Sequence, residues 1–248
     1  MSGSTDYAFL HGGGQAGWVW DETIAALARQ TDGAYGRALA LDAPGCGRKR
    51  GERVENLVME DVARELIADI EAAGLREVIL VGHSQAGQAM PIMARMRPYL
   101  FRRLVYITCS APLPGQHVTE MMGSGLHGAN ENEIGWPLDP STSGMGERFA
   151  AMFCNDMSAE QRSAFLAKLG QDMWPLQTYS ERAWSYDDLG TIPATFVICL
   201  KDMSLPVAWQ EKFSRRFQTE RQVRIDAGHQ VMNTRPHALA EILRVDAV

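Results

Sequence analysis

The sequence has few cysteines, and their spacing argues against the structures that cysteines usually build. The 248 residues contain four, at positions 46, 109, 154 and 199, with no Cys-x-x-Cys pair and no histidines clustered at metal-ligand spacing. We therefore predict no disulfide framework and no metal site, and we interpret the four as reduced thiols of a cytoplasmic protein. Cys109 and Cys199 fall in predicted strands, where a free cysteine behaves as a small core residue.

Long apolar runs and an excess of basic residues are also missing. No stretch is apolar for long enough to span a membrane, and residues 1–6 have neither the basic start nor the apolar core of a signal peptide. Acidic residues outnumber basic ones by 30 to 24, which gives a net charge of −6. This balance argues against a nucleic-acid partner, and we interpret the basic cluster Arg48-Lys49-Arg50 as a solvated loop tip.

The chain also lacks a nucleotide-binding fingerprint. Gly12-Gly13-Gly14 has neither the glycine spacing nor the distal acidic residue of a dinucleotide-binding loop, so we predict no cofactor. What the chain has in quantity is apolar residues, which make up 46% of its 248 positions. A chain of this size and composition can bury the large core of a single α/β domain.

Short β-rich runs alternate with helical patterns along most of the chain. The predicted strands lie near residues 7–10, 37–41, 77–81, 103–108, 195–200 and 222–225, and the predicted helices span 59–73, 85–97, 206–217 and 235–244. Such alternation predicts an α/β fold with a mostly parallel sheet flanked by helices. Pro91 lies inside the second of these helices, where a proline can introduce a kink.

The alternation stops between residues 112 and 190, which contain short helical patterns, notably at residues 158–169. We predict that this segment is a helical lid inserted into a core formed by residues 1–111 and 191–248. It holds 6 of the 13 methionines and 3 of the 6 tryptophans, and such side chains suit an adaptable apolar pocket. The candidate substrate-binding residues are Met121, Met122, Trp136, Met152 and Trp174. The alternative, that they anchor the lid on the core, stays open.

A candidate nucleophile follows the third predicted strand. The sequence Gly82-His83-Ser84-Gln85-Ala86-Gly87 comes directly after an apolar run and precedes a helical pattern. Small residues at positions 82, 86 and 87 allow a tight turn that lifts the Ser84 hydroxyl clear of the sheet. Ala86 stands where glycine is usual, and a methyl group is tolerable there. A serine in an ordinary small-residue turn is the alternative, so the partners of Ser84 decide between the two.

Candidate partners of Ser84 also stand at the ends of predicted strands. Asp202 follows the strand at 195–200, and His229 follows the strand at 222–225. Nucleophile, acid and base thus occur in the chain order Ser, Asp, His at the carboxyl ends of strands, where open parallel sheets place their sites. The competing acids are Asp187, Asp188 and Asp226, and the histidines without an ordered partner in sequence are His117, His127 and His237.

The first predicted strand leads into a glycine-rich loop at residues 11–18. Such a loop can point backbone N–H groups at a developing oxyanion. We expect His11 and His83 to shape the loops around Ser84 and to take no part in the chemistry.

Together these motifs resemble the α/β-hydrolases, and within them the branch of plant methylesterases and hydroxynitrile lyases with their bacterial relatives. The residues that carry the resemblance span nearly the whole chain: His11-Gly12, Trp18-Val19-Trp20, residues 42–47 and 82–87, Phe153-Cys154-Asn155-Asp156, Ile192-Pro193, residues 199–202 with Pro206 and Gln210, and Ala227-Gly228-His229 with Met232 and Pro236. The resemblance implies a catalytic triad of Ser84, Asp202 and His229. It also implies an oxyanion hole formed by the backbone N–H groups of Gly13 and Gln85.

The function implied by the resemblance is that of a serine hydrolase that cleaves a small to medium ester or lactone through an acyl-enzyme. The lid has 11 acidic and 4 basic residues, a net charge of −7, so a neutral small-molecule substrate is expected.

Two alternatives to this function stay open. Hydroxynitrile lyases of this branch resemble each other in a lysine after the catalytic histidine and a threonine after the His-Gly equivalent, where this chain has Gln230 and Gly13. Other relatives are receptors with little turnover. The oligomeric state is not predicted, with a homodimer among the alternatives.

Overall fold

The computed structural model describes residues 5–32 and 35–246, whose strands form a six-stranded sheet. The strands are β1 (Tyr7–Leu10), β2 (Ala38–Leu41), β3 (Val78–His83), β4 (Phe101–Ile107), β5 (Ala194–Cys199) and β6 (Arg221–Ile225). They lie in the order β2-β1-β3-β4-β5-β6, and each neighbouring pair is parallel. The predicted α/β class and parallel sheet are confirmed. The signal-peptide prediction falls largely on residues 1–4, which lie outside the described residues.

The helices flank the sheet on both faces. They are α1 (Asp21–Gln30), α2 (Met59–Ala72), α3 (Ala86–Met96), α4 (Val118–Met122), α5 (Met145–Phe153), α6 (Ala159–Leu166), α7 (Val207–Arg216), α8 (Val231–Thr234) and α9 (Pro236–Asp246). The four predicted helices of the core correspond to α2, α3, α7 and α9, and α3 continues through Pro91 without ending there. In the part of the chain described, no helix combines the length and the apolar content that crossing a bilayer requires.

Alternating apolar side chains divide the core into two layers. On β3, Leu80 packs with the buried faces of α2, α3 and α7, whereas Ile79 and Val81 pack with α1 and α9 on the other side. All six residues of β3 are buried, as are all six of β5, because both strands are central in the sheet and covered on both faces. The edge strands β2 and β6 are only partly buried.

Residues 112–190, called the lid below, lie between β4 and β5 in the chain and contain α4, α5 and α6. A buried lid carboxylate, Asp172, ties this segment to the core. Its Oδ1 accepts from Arg50 Nη2 at 2.8 Å and from the Gly47 N–H at 2.9 Å. The basic cluster at residues 48–50 is therefore more than the solvated loop tip that we expected, since Arg48 and Lys49 also pair with acids, Asp42 and Asp69 respectively.

The carboxyl ends of the strands meet at one edge of the sheet. The register pairs Leu10 with Gly82, His83 with Ile107, and Cys199 with Ile225. The loops that follow β1, β3, β4, β5 and β6 therefore begin side by side, at the edge where parallel sheets hold their sites.

Candidate active site

Ser84 stands on the sharp turn between β3 and α3. Its φ angle is +52°, in the left-handed region that L-residues rarely adopt. Backbone hydrogen bonds hold the turn, from the Ser84 N–H to the Ile107 carbonyl (3.2 Å) and from the Ser110 N–H to the Ser84 carbonyl (3.0 Å). A strained backbone at a half-buried serine is the geometry of a nucleophile elbow.

The small residues around Ser84 have no room for larger side chains. A Cβ on Gly82 would overlap the Met90 sulfur, and one on Gly87 would lie 2.5 Å from the Ser110 carbonyl oxygen. Both positions therefore require glycine if β3 and α3 are to approach this closely. Ala86 is fully buried, and its methyl group is accommodated within the core.

His229 and Asp202 form a buried pair at the same edge of the sheet. His229 Nδ1 and Asp202 Oδ2 are 2.7 Å apart, and neither side chain has any exposed surface. The other imidazole nitrogen, Nε2, is buried and has no hydrogen-bond partner among the described residues. A histidine with Nδ1 held by a carboxylate and Nε2 unpaired is arranged to accept a proton at Nε2.

Three further donors fix the Asp202 carboxylate. Its Oδ1 accepts from the backbone N–H groups of Ser204 (2.7 Å) and Leu205 (2.8 Å), and its Oδ2 accepts from Thr108 Oγ1 (2.5 Å). Sequence reasoning missed Thr108. The available signal was a polar residue directly after β4, at the same edge of the sheet as the acid.

The competing acids lie in other surroundings. Asp226 is exposed and pairs with Lys201 (Nζ to Oδ2, 2.8 Å), and Asp187 accepts a hydrogen bond from Ser185. Asp188 is exposed in a turn with φ at +61°. Within the described residues, the carboxylate that His229 contacts belongs to Asp202.

Two neutral histidines pack behind the pair. His83 Nε2 donates to the His229 carbonyl oxygen at 3.0 Å, and the two rings lie 4.5 Å apart. Burial, and then the neighbouring His229 ring, hold the pKa of His83 well below its usual value. His11 Nε2 accepts the Ala43 N–H at 3.1 Å, so its Nδ1 carries the proton and donates to the Gly12 carbonyl (2.8 Å). Burial lowers the pKa of His11 as well.

The loop after β1 lies directly against the elbow. A Cβ on Gly12 would be 2.9 Å from His83 Nδ1 and 3.0 Å from Ser84 Cβ, and one on Gly13 would overlap Gln85 Oε1. Among the described residues, the backbone N–H groups of Gly13 and Gln85 make no hydrogen bond. Unpaired backbone donors beside a nucleophile are what an oxyanion hole requires.

The lid reaches this region through Tyr179, another residue that the sequence did not single out. Tyr179 donates its hydroxyl proton to Gln85 Oε1 at 3.1 Å, and burial raises the pKa of Tyr179 to about 12. The Gln85 side chain is buried, and its Nε2 has no partner among the described residues.

The candidate methionines of the lid differ in burial. Met121 (1% exposed) is part of the core cluster beneath the lid, and Met122 packs partly buried against the same cluster. Met152 is buried on α5. These positions fit anchoring of the lid, and a role of these residues in a substrate pocket stays a prediction.

The candidate tryptophans are held by specific contacts. Trp174 packs edge-on against His11, with ring centroids 5.7 Å apart, and therefore lies beside the loop that carries Gly13. Trp136 donates from Nε1 to the Gly123 carbonyl at 3.0 Å, and the Arg148 guanidinium covers its ring at 5.0 Å.

The donor chemistry for a metal is not assembled in the described part of the chain. No group of three or more His, Cys, Asp or Glu side chains lies within ligating distance in residues 5–32 and 35–246. The four cysteines are buried and unbridged, and burial raises the pKa of Cys46 to about 12. Their thiols are thus core groups with little tendency to ionise.

Comparison with known proteins agrees with this geometry. The family described as the alpha/beta hydrolase family matches residues 8–242. Methylesterase 4 of Arabidopsis thaliana is 24% identical over 96% of this chain and 94% of its own length, and an esterase of Mycobacterium tuberculosis is 29% identical over 95% and 80%. A carbendazim hydrolyzing esterase of Nocardioides sp. is 32% identical, over only 49% of this chain and 48% of that enzyme.

Solved structures agree on the fold. A pyrethroid hydrolase from Sphingobium faniae matches with a TM-score of 0.75 and 23% identity over 99% of this chain and 98% of that one. An extracellular alpha/beta-hydrolase from a Paenibacillus species also gives 0.75, at 20% identity over 98% of both chains. The expected resemblance to the plant methylesterase branch and its bacterial relatives is confirmed.

Proposed function

Because the chain belongs to the alpha/beta hydrolase family, we propose that it is a serine hydrolase that cleaves small to medium, neutral carboxylic esters or lactones. The observation that carries the proposal is the buried 2.7 Å contact between His229 Nδ1 and Asp202 Oδ2, at the sheet edge where Ser84 stands with φ at +52°. Relatives that match nearly the whole chain are named as esterases, which supports the same reaction class.

Each member of the triad has a distinct task in the proposed mechanism. Ser84 Oγ attacks the carbonyl carbon while His229 Nε2 takes its proton. Asp202 keeps the proton on Nδ1, so that Nε2 is the basic nitrogen, and stabilises the imidazolium that forms. The imidazolium then protonates the leaving alcohol, and an acyl-enzyme on Ser84 remains. Water activated by His229 releases the acid.

The developing negative charge would be stabilised by the backbone N–H groups of Gly13 and Gln85. Both donors are unpaired in the described structure, so they need not break a hydrogen bond before they bind the oxyanion. A preorganised donor of this kind lowers the barrier by about 3 kcal/mol.

The substrate class is proposed from the lid. Its methionines and tryptophans suit an apolar acyl or alkoxy group, and its net charge of −7 disfavours anions. Since one partial relative is named for carbendazim hydrolysis, carbamate esters belong in the same test panel.

The test is a panel of neutral esters, lactones and carbendazim, assayed with the purified protein and with Ser84→Ala. We expect turnover by the wild type and loss of essentially all activity in the variant, because the covalent step has no other nucleophile. A fluorophosphonate should label Ser84, as located by peptide mapping. Hydrolysis that persists in Ser84→Ala, or labelling at another residue, would contradict the proposal.

Three outcomes, with a cyanohydrin added to the panel, separate the proposal from its alternatives. A stoichiometric burst followed by a stalled adduct would indicate a receptor, and cleavage of a cyanohydrin without ester turnover would indicate a lyase. Steady turnover of a neutral ester would support the esterase.

A further inference from the structure

Three of the four residues at 153–156 of the lid contact the loops that carry the proposed acid and base. Asn155 Nδ2 donates to the Lys201 carbonyl, one residue before the acid, at 2.8 Å. Asp156 Oδ2 accepts from the Gly228 N–H, one residue before the base, also at 2.8 Å. The Phe153 ring centroid lies 5.3 Å from that of the base itself. Neighbouring residues of the lid therefore contact two loops that are far apart in the sequence.

Asp156 makes a second link, to helix α8, which follows the loop that carries His229 (called the base loop below). Its Oδ2 also accepts from Thr234 Oγ1 at 3.0 Å, and Arg235 Nη1 lies 3.9 Å away. The carboxylate is 7% exposed, and its Oδ1 is buried without a partner. A carboxylate kept in such a place loses hydration, so its contacts with the base loop must offset that loss.

The fit between the lid and the base loop is close. A Cβ on Gly228 would lie 2.5 Å from Asp156 Oδ1 and 2.6 Å from Asn155 Oδ1. Position 228 therefore requires glycine, because only a residue without a side chain lets the two lid residues approach the loop backbone.

The position of the imidazole depends on this loop. His229 is held at Nδ1 by Asp202 (2.7 Å) and at its carbonyl oxygen by His83 (3.0 Å). The Asp156 hydrogen bond holds the N–H of the Ala227–Gly228 peptide, one peptide before that of His229, and so restrains the direction from which the ring enters the site. A displacement of about 1 Å in such a group can cost about 100-fold in rate.

We propose that Asp156 is a positioning residue, which with Asn155 makes the geometry of the Ser84–Asp202–His229 site depend on the seating of the lid. This inference rests on the proposed function, since it concerns how the proposed base is held. The hydrogen bonds of Asp156 carry the effect, and its charge does not. Asparagine, whose side-chain amide keeps one oxygen acceptor, should therefore substitute for Asp156 without loss of rate.

The test compares Asp156→Ala with Asp156→Asn in the full-length protein. We expect kcat and the rate of fluorophosphonate labelling to fall about 100-fold in Asp156→Ala, with KM unchanged, because proton transfer is impaired and substrate contacts are not. Asp156→Asn should restore both rates. A downfield proton resonance from the hydrogen bond between His229 Nδ1 and Asp202 should be present in the wild type and in Asp156→Asn, and broadened in Asp156→Ala.

The matched control is Asp139→Ala, which removes an exposed lid carboxylate that accepts hydrogen bonds, among the described residues, from the backbone N–H and the hydroxyl of Ser141. It should leave kcat, KM and labelling unchanged. If Asp156→Ala does not fold, two other variants each remove one hydrogen bond of the lid: Thr234→Val removes that to α8, and Asn155→Ala removes that to the loop of Asp202. Each should lower kcat without raising KM.

The outcomes separate this inference from the proposed function. If the wild type is not labelled at Ser84, the proposed function fails. If the wild type is labelled, but Asp156→Ala is labelled at the same rate, the positioning role fails. An Asp156→Asn variant as slow as Asp156→Ala would also overturn it, since charge and not hydrogen bonding would then be the cause.

Discussion

At the scale of single residues, the orientation of Asp202 is set by four hydrogen bonds. Two come from backbone N–H groups at 2.7 and 2.8 Å, one from Thr108, and one from the imidazole of His229. The backbone donors are part of the turn that follows β5, so the carboxylate cannot rotate without losing the hydrogen bonds that this turn donates. The fold thus fixes the orientation of the proposed acid.

This arrangement predicts a large effect for Asp202→Asn. The amide would present an N–H where His229 Nδ1–H needs an acceptor, so the wrong imidazole tautomer is favoured, and kcat should fall by about 10,000-fold. The control is Asp226→Asn, which alters an exposed acid paired with Lys201 and should change kcat little. Both are measured as kcat for the best ester of the panel. A larger loss in Asp226→Asn would show that the acid is misassigned.

The buried histidines predict how stability depends on pH. Burial lowers the pKa of His11, and burial together with the His229 ring lowers that of His83. In the unfolded chain both take up a proton near pH 6.5, so below about that pH the unfolded state binds more protons than the folded state. The free energy of unfolding should therefore decrease as pH falls, by up to about 1.4 kcal/mol per pH unit for each histidine.

Urea unfolding between about pH 7.5 and about pH 5.5 measures this dependence. His11→Gln should reduce the slope, because it removes one of the two buried histidines. A slope that is equal in the wild type and His11→Gln would mean that His11 is protonated in the folded protein.

At the scale of elements, the elbow between β3 and α3 and the loop after β1 are fitted to each other. A Cβ on Gly12 would lie 2.9 Å from His83 Nδ1 and 3.0 Å from Ser84 Cβ. We expect Gly12→Ala to push the loop and its Gly13 N–H away from the oxyanion and to reduce kcat by about 100-fold, as loss of one oxyanion donor does. Gly146→Ala is the control, because nothing lies within 4 Å of a Cβ there.

Gly146→Ala should stabilise α5 by about 0.5 kcal/mol and leave kcat unchanged. Thermal unfolding and ester hydrolysis of the two variants measure the two effects. Normal kcat in a folded Gly12→Ala would contradict the placement of the oxyanion donor in this loop.

The elements differ in how far the sequence reveals them. The predicted bounds of all six strands lie within two residues of the observed ones, because each strand is a short β-rich run, and the central strands β3 and β5 are buried throughout. Helix α1 was not predicted. Only Thr23, Ala26 and Leu27 are buried in it, so its pattern is weak. Contacts such as that of Thr108 with Asp202 join residues 94 positions apart, and no local pattern encodes them.

At the scale of the whole molecule, charge is distributed unevenly. The lid has a net charge of −7 and the rest of the chain about +1. Part of the lid charge is used in contacts, since Asp172 pairs with Arg50 and Asp156 binds the base loop. Six lid acids make no ion pair among the described residues and are exposed: Glu131, Asp139, Glu147, Glu160, Asp187 and Asp188. These acids give the proposed lid an exposed negative charge.

This exposed charge predicts that an anionic substrate is disfavoured, and that salt weakens the effect. For a matched pair of esters that differ by one remote carboxylate, kcat/KM should be about fivefold lower for the anion at low ionic strength, which corresponds to about 1 kcal/mol. At 0.1 M salt the screening length is about 10 Å, so the repulsion by exposed charges should largely vanish. A direct contact between the carboxylate and the pocket wall would be screened much less.

The variant in which the six exposed and unpaired lid acids are replaced by amides separates these causes. It removes charge from the lid and leaves the Asp156 and Asp172 contacts intact, so it should abolish the salt-dependent penalty and keep kcat for the neutral ester. If kcat/KM for the anionic ester stays low in this variant and does not change with salt, the residues that disfavour the anion lie inside the pocket. Preference for the anionic ester would mean that the acidic surface faces away from the entrance and that substrate selection depends on the core.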